Sequence, residues 1–268
     1  VDLTQSSVKK QQYFNFDTCA KLTQFIRRIE PKGVTVSVGC EIGEVGHKNS
    51  TPEELRVFMD GFKDRLRKGL AGISKISVQT GTSHGGVVLP DGSIAQVALD
   101  FDTLKALSAI AQKEYGLAGA VQHGASTLPS EAFHKFAECE TAEVHLATEF
   151  QNMIYDSQYF PAELKDKIYQ WLKVNAASEK KEGETDEQFF YKTRKKALGP
   201  FKREIMGLAD SLRDKIAAEI EAKFEFLFKQ LQVVNKKELA DKYVSFKRVI
   251  SRKRKEASAV VHDGEGAD

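Results

Sequence analysis

The chain alternates between short apolar, β-branched runs and longer segments whose apolar residues recur every three or four positions. The short runs predict strands at residues 34–38, 76–79, 117–122 and 142–146, and the tail at residues 1–3 predicts the end of a fifth strand. The segments between the runs are too long for hairpins, which predicts parallel strands joined by right-handed crossovers. The first part of the chain is therefore expected to form an α/β fold.

Capping sequences mark two helix starts. Thr51 is followed by Pro52 and Glu54, which together predict a helix beginning at Pro52. Thr185 stands three residues before Gln188, which predicts a second capped start. A further helix from about residue 17 is predicted by apolar residues at helical spacing: Leu22, Phe25, Ile26 and Ile29.

Composition changes near residue 160. Of the 19 glycines, 14 precede Pro161, so the rest of the chain is expected to be nearly all helical. A long amphipathic helix is predicted from Gly199 to Leu231. We predict one domain over residues 1–156 and a helical extension over residues 157–268, with a disordered polar tail at its end.

The overall composition is that of a soluble globular protein, with 41% hydrophobic and 29% charged residues. A formal net charge of +2 gives no reason to expect a nucleic acid or a membrane as partner. The three cysteines have no paired spacing, which favours a reduced, cytoplasmic location over a disulfide framework. Cys40 is interpreted as a small buried residue rather than as a thiolate ligand.

Polar residues that suit a metal ion follow three of the predicted strands. They are Glu41, His84 and His123. The C-terminal ends of parallel strands lie on one side of an α/β fold, so these side chains are expected to converge. Two imidazoles and a carboxylate suit Zn²⁺.

A phosphate site is predicted beside this metal site. Gly85 and Gly124 each follow a histidine directly and allow backbone N–H groups to approach an anion closely. Ser126 adds a hydroxyl donor, and Thr148 stands at the end of another predicted strand. The alternative is that strand-end histidines simply hydrogen-bond to the backbone.

Four motifs resemble those of a known family. They are Val-Ser-Val-Gly-Cys-Glu-Ile-Gly at 36–43, Gly-Thr-Ser-His-Gly at 81–85, His-Gly-Ala-Ser-Thr-Leu-Pro at 123–129, and the strand end at 144–148. In order and spacing they resemble the class II, zinc-dependent fructose-bisphosphate aldolases, which are (β/α)8 TIM barrels. The resemblance covers about residues 1–156, which would form the C-terminal portion of such a barrel.

The resemblance implies an activity and a set of site residues. A zinc ion held by His84 and His123, with Glu41 at an exchangeable ligand position, would polarise a ketose carbonyl and stabilise the enediolate formed on cleavage. The substrate would be fructose 1,6-bisphosphate, split into dihydroxyacetone phosphate and an aldehyde phosphate. The implied phosphate-binding residues are Gly85, Gly124, Ser126, His145 and Thr148. His145 could instead be an additional ligand or have a structural role.

Departures from the family pattern keep alternatives open. The family's catalytic aspartate and first zinc histidine belong to an earlier strand and are expected upstream of this chain. Gly39, Asn49, His145 and Ala147 stand where the family usually has other polar residues. The alternatives are an aldolase for a related sugar phosphate, such as tagatose bisphosphate, and a non-catalytic accessory barrel. The long apolar stripe of the extension predicts a homo-oligomer or a docking surface.

Overall fold

The computed structural model describes residues 1–43, 48–81, 88–90, 95 and 99–244. Within them, a parallel sheet contains four strands in the order β1-β2-β3-β4. The strands are β1 (Gly39–Glu41), β2 (Lys75–Val78), β3 (Ala120–Gln122) and β4 (Glu143–Val144). Neighbours in the sheet are also consecutive in the chain, as in the wall of a (β/α)8 barrel. The predicted α/β fold is confirmed.

Helices connect the strands and make up most of the chain after β4. Those before β4 are α1 (Val8–Gln11), α2 (Tyr13–Ile29), α3 (Pro52–Arg65), α4 (Phe101–Tyr115) and α5 (His134–Glu138). Those after it are α6 (Thr148–Asp156), α7 (Ala162–Asn175), α8 (Asp186–Thr193), α9 (Lys202–Met206), α10 (Asp210–Gln230) and α11 (Lys237–Tyr243).

Both predicted capping boxes are confirmed. The Thr51 hydroxyl accepts a hydrogen bond from the Glu54 N–H at 3.2 Å, and the Glu54 carboxylate accepts one from the Thr51 N–H at 2.8 Å. Thr185 and Gln188 make the same reciprocal pair at 3.2 and 3.1 Å. These bonds satisfy N–H groups that a helix start otherwise leaves without partners, so α3 and α8 begin where the sequence predicts.

The prediction of a strand at residues 34–38 is wrong, because β1 begins only at Gly39. The backbone before it bonds to side chains of the preceding helix. Glu30 accepts a hydrogen bond from the Val36 N–H at 2.9 Å, and the Arg27 guanidinium donates to the Val36 carbonyl at 2.9 Å. These side chains take the place of a neighbouring strand.

The predicted strand tail at residues 1–3 is also wrong. The Asp2 carboxylate accepts hydrogen bonds from the Thr4 N–H at 3.1 Å and from the Gln5 side chain at 2.9 Å. An aspartate that bonds to residues two and three positions ahead closes a turn. The count of five strands therefore falls to the four that the described residues form.

The helix predicted from about residue 17 is present as α2. The face that it buries in the core, however, is not the face that carries the predicted apolar residues. The residues of α2 that are buried are Phe16, Cys19, Ala20 and Thr23. Leu22 is 57% exposed and Ile29 is 60% exposed. A conspicuous apolar face of α2 is thus left on the surface of the described part of the chain.

Cys19 and Cys40 form a disulfide, so the expectation of unpaired cysteines is wrong. Cys19 lies on the buried face of α2 and Cys40 lies in β1, and the bond ties the helix to the strand. The two residues are 21 positions apart, and their pairing depends on the packing of α2 over β1, which no local spacing reveals. Cys139 is a buried free thiol.

Two hydrophobic clusters fill the interior. Large members of the first, which packs around the sheet, are Phe16, Leu55, Phe58, Ile76 and Leu104. Large members of the second, which is built from the helices after β4, are Tyr155, Ile168, Leu172, Phe189 and Ile216. Residues Val1–Val234 form one compact unit, which ends before Asn235. The predicted domain division at residue 156 stays a prediction, and the polar tail lies outside the described residues.

The long helix predicted between Gly199 and Leu231 is interrupted. Helix α9 ends at Met206, and α10 begins at Asp210. The Gly207 N–H donates to the Arg203 carbonyl at 2.8 Å, which closes α9. The Arg213 guanidinium donates to the Met206 carbonyl at 3.2 Å and so satisfies one of the carbonyls left at that helix end.

Candidate active site

Residues along one face of the sheet and at its strand ends line a cavity of about 290 Å³. Alternate residues of a strand point to one face of the sheet, and the strand pairing places Glu41 beside Ser77 and Ser77 beside Val121. The cavity is lined by Gly39, Cys40, Glu41, Lys75, Ser77, Val121, His123 and His145. Two of the predicted metal ligands, Glu41 and His123, therefore share one cavity.

A second cavity, of about 170 Å³, adjoins the first through His123 and His145, which line both. Its remaining walls are Gly124, Ser126, Leu146, Ala147 and Thr148. Four of the predicted phosphate-binding residues lie together here: Gly124, Ser126, His145 and Thr148. The other predicted site residues, His84 and Gly85, lie outside the described residues.

The His145 ring is held on two sides. It stacks on the His123 ring, with 4.6 Å between the ring centroids and 28° between the planes. Its Nε2 lies 2.9 Å from Oε2 of Glu143, and the other carboxylate oxygen of Glu143 bonds to the Lys75 ammonium. These contacts connect β2, β3 and β4 across one face of the sheet.

Lys75 and Glu143 were missed by the sequence analysis. Burial acts to raise the pKa of the Glu143 carboxyl, but hydrogen bonds from Lys75 and His145 outweigh it and hold that pKa below its usual value. The available signal was a charged residue at the start of a strand, since Lys75 begins β2 and Glu143 begins β4. Both residues share a sheet face with the predicted site residues.

Buried amides fix the backbone that carries the site. The Thr80 hydroxyl donates to the Gln122 side chain at 2.6 Å, and the Gln122 amide donates to the His123 carbonyl at 2.6 Å. Asn15 of α2 donates to the Glu41 carbonyl at 2.7 Å. Side chains from a neighbouring strand and a helix thus hold the positions of His123 and Glu41.

The donors at the first cavity suit zinc in type but are too few. A catalytic zinc site uses three protein ligands and keeps one position for water or substrate. Among the described residues no group of three histidine, cysteine or acidic side chains is placed to hold a metal ion. Cys40 is bonded to Cys19 and does not supply a thiolate. A zinc site that included Glu41 and His123 would need a third ligand from outside the described residues.

At the second cavity, the turn after β3 meets the start of α6. Gly124 has φ +68° and ψ +18°, a left-handed conformation that favours glycine. Ala147 precedes α6 without a side-chain cap, so the first N–H groups of α6 are left to other partners. The Ser126 hydroxyl accepts a hydrogen bond from the Ala147 N–H at 3.2 Å, which joins the β3 turn to the start of α6.

These features define an α/β barrel-type protein with a polar site at the carboxyl ends of its strands. Residues 6–227 match the family model described as fructose-bisphosphate aldolase class-II. The chain belongs to this family, as the motifs in its sequence predicted. Members of the family are generally zinc-dependent.

Two solved structures resemble this chain at low sequence identity. The chain is similar to a probable tagatose 6 phosphate kinase from Sinorhizobium meliloti 1021, at 15% identity and a TM-score of 0.54, over 87% of this chain and 68% of that one. It is also similar to fructose-bisphosphate aldolase from Campylobacter jejuni, at 18% identity and a TM-score of 0.46, over 88% of this chain and 60% of that one. A comparison with curated protein sequences finds no match.

The predicted TIM-barrel fold is confirmed at the level of this partial barrel. Within the described residues, no helix has the length and apolar character needed to cross a bilayer.

Proposed function

We propose that the chain belongs to an aldolase that reversibly cleaves a ketose bisphosphate, with fructose 1,6-bisphosphate as the substrate. The observation that carries the proposal is the pair of adjoining cavities at the strand ends. One has a carboxylate and an imidazole of the kind that bind zinc, and the other has the donors that suit a phosphate. A phosphorylated ketose needs a metal site for its carbonyl and an adjacent anion site for its phosphate.

The proposed zinc ligands are His84, His123 and Glu41. Zinc, when bound, would polarise the ketose carbonyl of the substrate. The chain's own contribution is to hold these ligands in place: Gln122 bonds to the His123 backbone, and Asn15 bonds to the Glu41 backbone.

The proposed phosphate subsite comprises Gly85, Gly124, Ser126, His145 and Thr148. The Ser126 oxygen accepts from the Ala147 N–H, which leaves its own proton for a phosphate oxygen. Thr148, the first residue of α6, offers a hydroxyl and an N–H at the positive end of the helix. His145 stands between the two cavities and can contact a ligand in either.

A second candidate function is a non-catalytic, accessory barrel that keeps the phosphate subsite. The observation that favours it concerns Asn49, which stands near the loop where the family usually carries an acidic residue. The Asn49 amide donates to Asp100 at 2.9 Å, next to the start of α4, and carries no proton-transfer group. Ala147 likewise has no polar side chain. An aldolase for another sugar phosphate, such as tagatose bisphosphate, is the enzymatic alternative.

The location and assembly of the protein are also proposals. A cytoplasmic location agrees with the family's metabolic substrates, whereas the Cys19–Cys40 disulfide is the observation that weighs against it, since stable disulfides are rare in reducing compartments. A homo-oligomer is supported by the exposed apolar residues of α2, among them Phe14 and Ile29.

The test is aldol cleavage of fructose 1,6-bisphosphate by the product of the complete open reading frame, with and without a chelator. Activity that chelation removes and zinc restores would support the proposal. Stoichiometric zinc without cleavage would point to another sugar phosphate. A protein that neither binds zinc nor cleaves the substrate would favour the accessory barrel. His123→Ala should abolish zinc binding, whereas His134→Ala, a half-exposed histidine on α5, should leave it unchanged.

A further inference from the structure

Helix α10 of the C-terminal region reaches the start of α6. The Lys223 ammonium of α10 lies 2.5 Å from Oε1 of Glu149, the second residue of α6. Only 15% of the Lys223 side chain and 22% of the Glu149 side chain are exposed. Beside this pair, the rings of Phe150 and Phe224 stack with 4.6 Å between their centroids. The ion pair is therefore a fixed feature of the packing between these helices.

The surroundings of the Lys223 ammonium favour a positive charge. Its Nζ lies 5.6 Å from the centre of the Phe133 ring and 5.3 Å from that of Phe226, and 3.5 Å from the Ser130 hydroxyl. Aromatic faces and a hydroxyl stabilise an ammonium without neutralising it. Its charge is balanced by Glu149 alone among these neighbours.

Glu149 is next to Thr148 in the first turn of α6, whose N-terminal end borders the proposed phosphate subsite. A carboxylate in the first turn is attracted to the same N–H groups that a phosphate would use, and its negative charge repels a phosphate. Within the described residues, Oε2 of Glu149 is buried and has no hydrogen-bond partner. Without Lys223, this carboxylate would have to move towards other donors, and the nearest along the chain are the N–H groups that begin α6.

We propose that Lys223 is a positioning residue for the phosphate subsite, because it holds the Glu149 carboxylate away from the end of α6 and balances its charge. This inference rests on the proposed function of that subsite. It gives the C-terminal helical region an indirect role in substrate binding, since none of the described residues of that region lines either cavity.

The experiment measures the binding of inorganic phosphate to the full chain by isothermal titration calorimetry, at low ionic strength. Lys223→Met should weaken binding on the order of tenfold, as expected for one uncompensated charge beside an anion site. Adding Glu149→Gln to that variant should restore binding, because the repelling charge is then gone. Glu149→Gln alone should bind phosphate at least as tightly as the original chain.

A matched control lies on the same helix. Lys229 pairs with Glu225 at 2.6 Å, but both of these side chains are more than half exposed, whereas that of Lys223 is 15% exposed. Lys229→Met should leave phosphate binding unchanged.

The outcomes separate the inference from the proposed function. A chain that binds no phosphate at all would overturn the subsite and the inference with it. If the original chain binds phosphate and Lys223→Met binds it equally well, the inference alone fails. It also fails if the double variant stays as weak as Lys223→Met while circular dichroism shows both folded, since Lys223 would then act only through packing. Should Lys223→Met not fold, weaker binding by Glu149→Gln would overturn the inference by itself.

Discussion

Oε2 of Glu143 lies 2.9 Å from Nε2 of His145, while the other oxygen of the same carboxylate bonds to Lys75. Each of these residues comes from a position that faces the cavity side of the sheet. The carboxylate therefore orients an imidazole that stands between the two parts of the proposed substrate site. Removing it should affect the reaction without removing any group that is proposed to touch the metal.

Glu143→Ala is expected to lower kcat/KM for the ketose bisphosphate by roughly tenfold to a hundredfold, because a misplaced contact residue costs about that much. The double variant Lys75→Met with Glu143→Gln should lose less kcat/KM. Its glutamine oxygen can still accept a hydrogen bond from His145, and no lysine ammonium is left without its carboxylate partner. Steady-state kinetics of both variants check this. Equal losses would contradict the orienting role of Glu143.

The Cys19–Cys40 disulfide can be tested by its effect on stability and by a count of free thiols. Cross-linking residues 21 positions apart is expected to stabilise the fold by about 3 kcal/mol in the chain-entropy model, so Cys19→Ala with Cys40→Ala should lower the free energy of unfolding by about that amount. Urea unfolding with and without reductant gives the measurement. A thiol assay on the unfolded, non-reduced chain should find one free thiol, Cys139, whereas three would contradict the disulfide.

Features that depend on neighbouring residues were predictable from the sequence. The Thr51–Glu54 capping box works within four residues, and the structure contains it as predicted. The spacing of the four motifs likewise identified the family and the barrel fold, because each motif lies at the end of a predicted strand.

Features that depend on tertiary partners were not predictable. Residues 34–38 have the composition of a strand, but the side chains of Arg27 and Glu30 form hydrogen bonds with the backbone of this segment in place of a neighbouring strand. Lys75 and Glu143 meet only because β2 and β4 bring them to one face of the sheet, 68 residues apart along the chain. Such pairings need the strand order and register, which the local pattern of apolar residues does not contain.

The ion pair of Asp156 with Arg194 should make stability depend on pH. Burial acts to raise the pKa of Asp156, but the bonds from the buried Arg194 guanidinium outweigh it and hold that pKa below the ordinary 3.8. A carboxyl whose folded pKa is lowered contributes stability above its unfolded pKa and loses it as the pH falls through the folded value. The free energy of unfolding should therefore decrease below about pH 4.

Urea unfolding at pH 6 and pH 3 checks this for the original chain and for Asp156→Asn. The variant should lose less stability between the two pH values, because it no longer has the titrating group. An equal loss in both chains would show that other carboxyls account for the acid sensitivity.

Gly124 offers a test of the backbone that joins His123 to the phosphate subsite. Its φ of +68° is left-handed, and an L side chain in that conformation costs roughly 1–2 kcal/mol. Gly124→Ala should lower the free energy of unfolding by about that amount, and it should weaken phosphate binding, because relief of the strain would turn the Ser126 hydroxyl away from the start of α6.

Gly199 is the matched control, since its φ is −69° and a Cβ there would meet nothing within 4 Å. Gly199→Ala should be neutral or stabilise the fold by about 0.5 kcal/mol through the unfolded state. If calorimetry found phosphate binding unchanged in Gly124→Ala despite the lost stability, the turn at Gly124 would serve the fold and not the ligand.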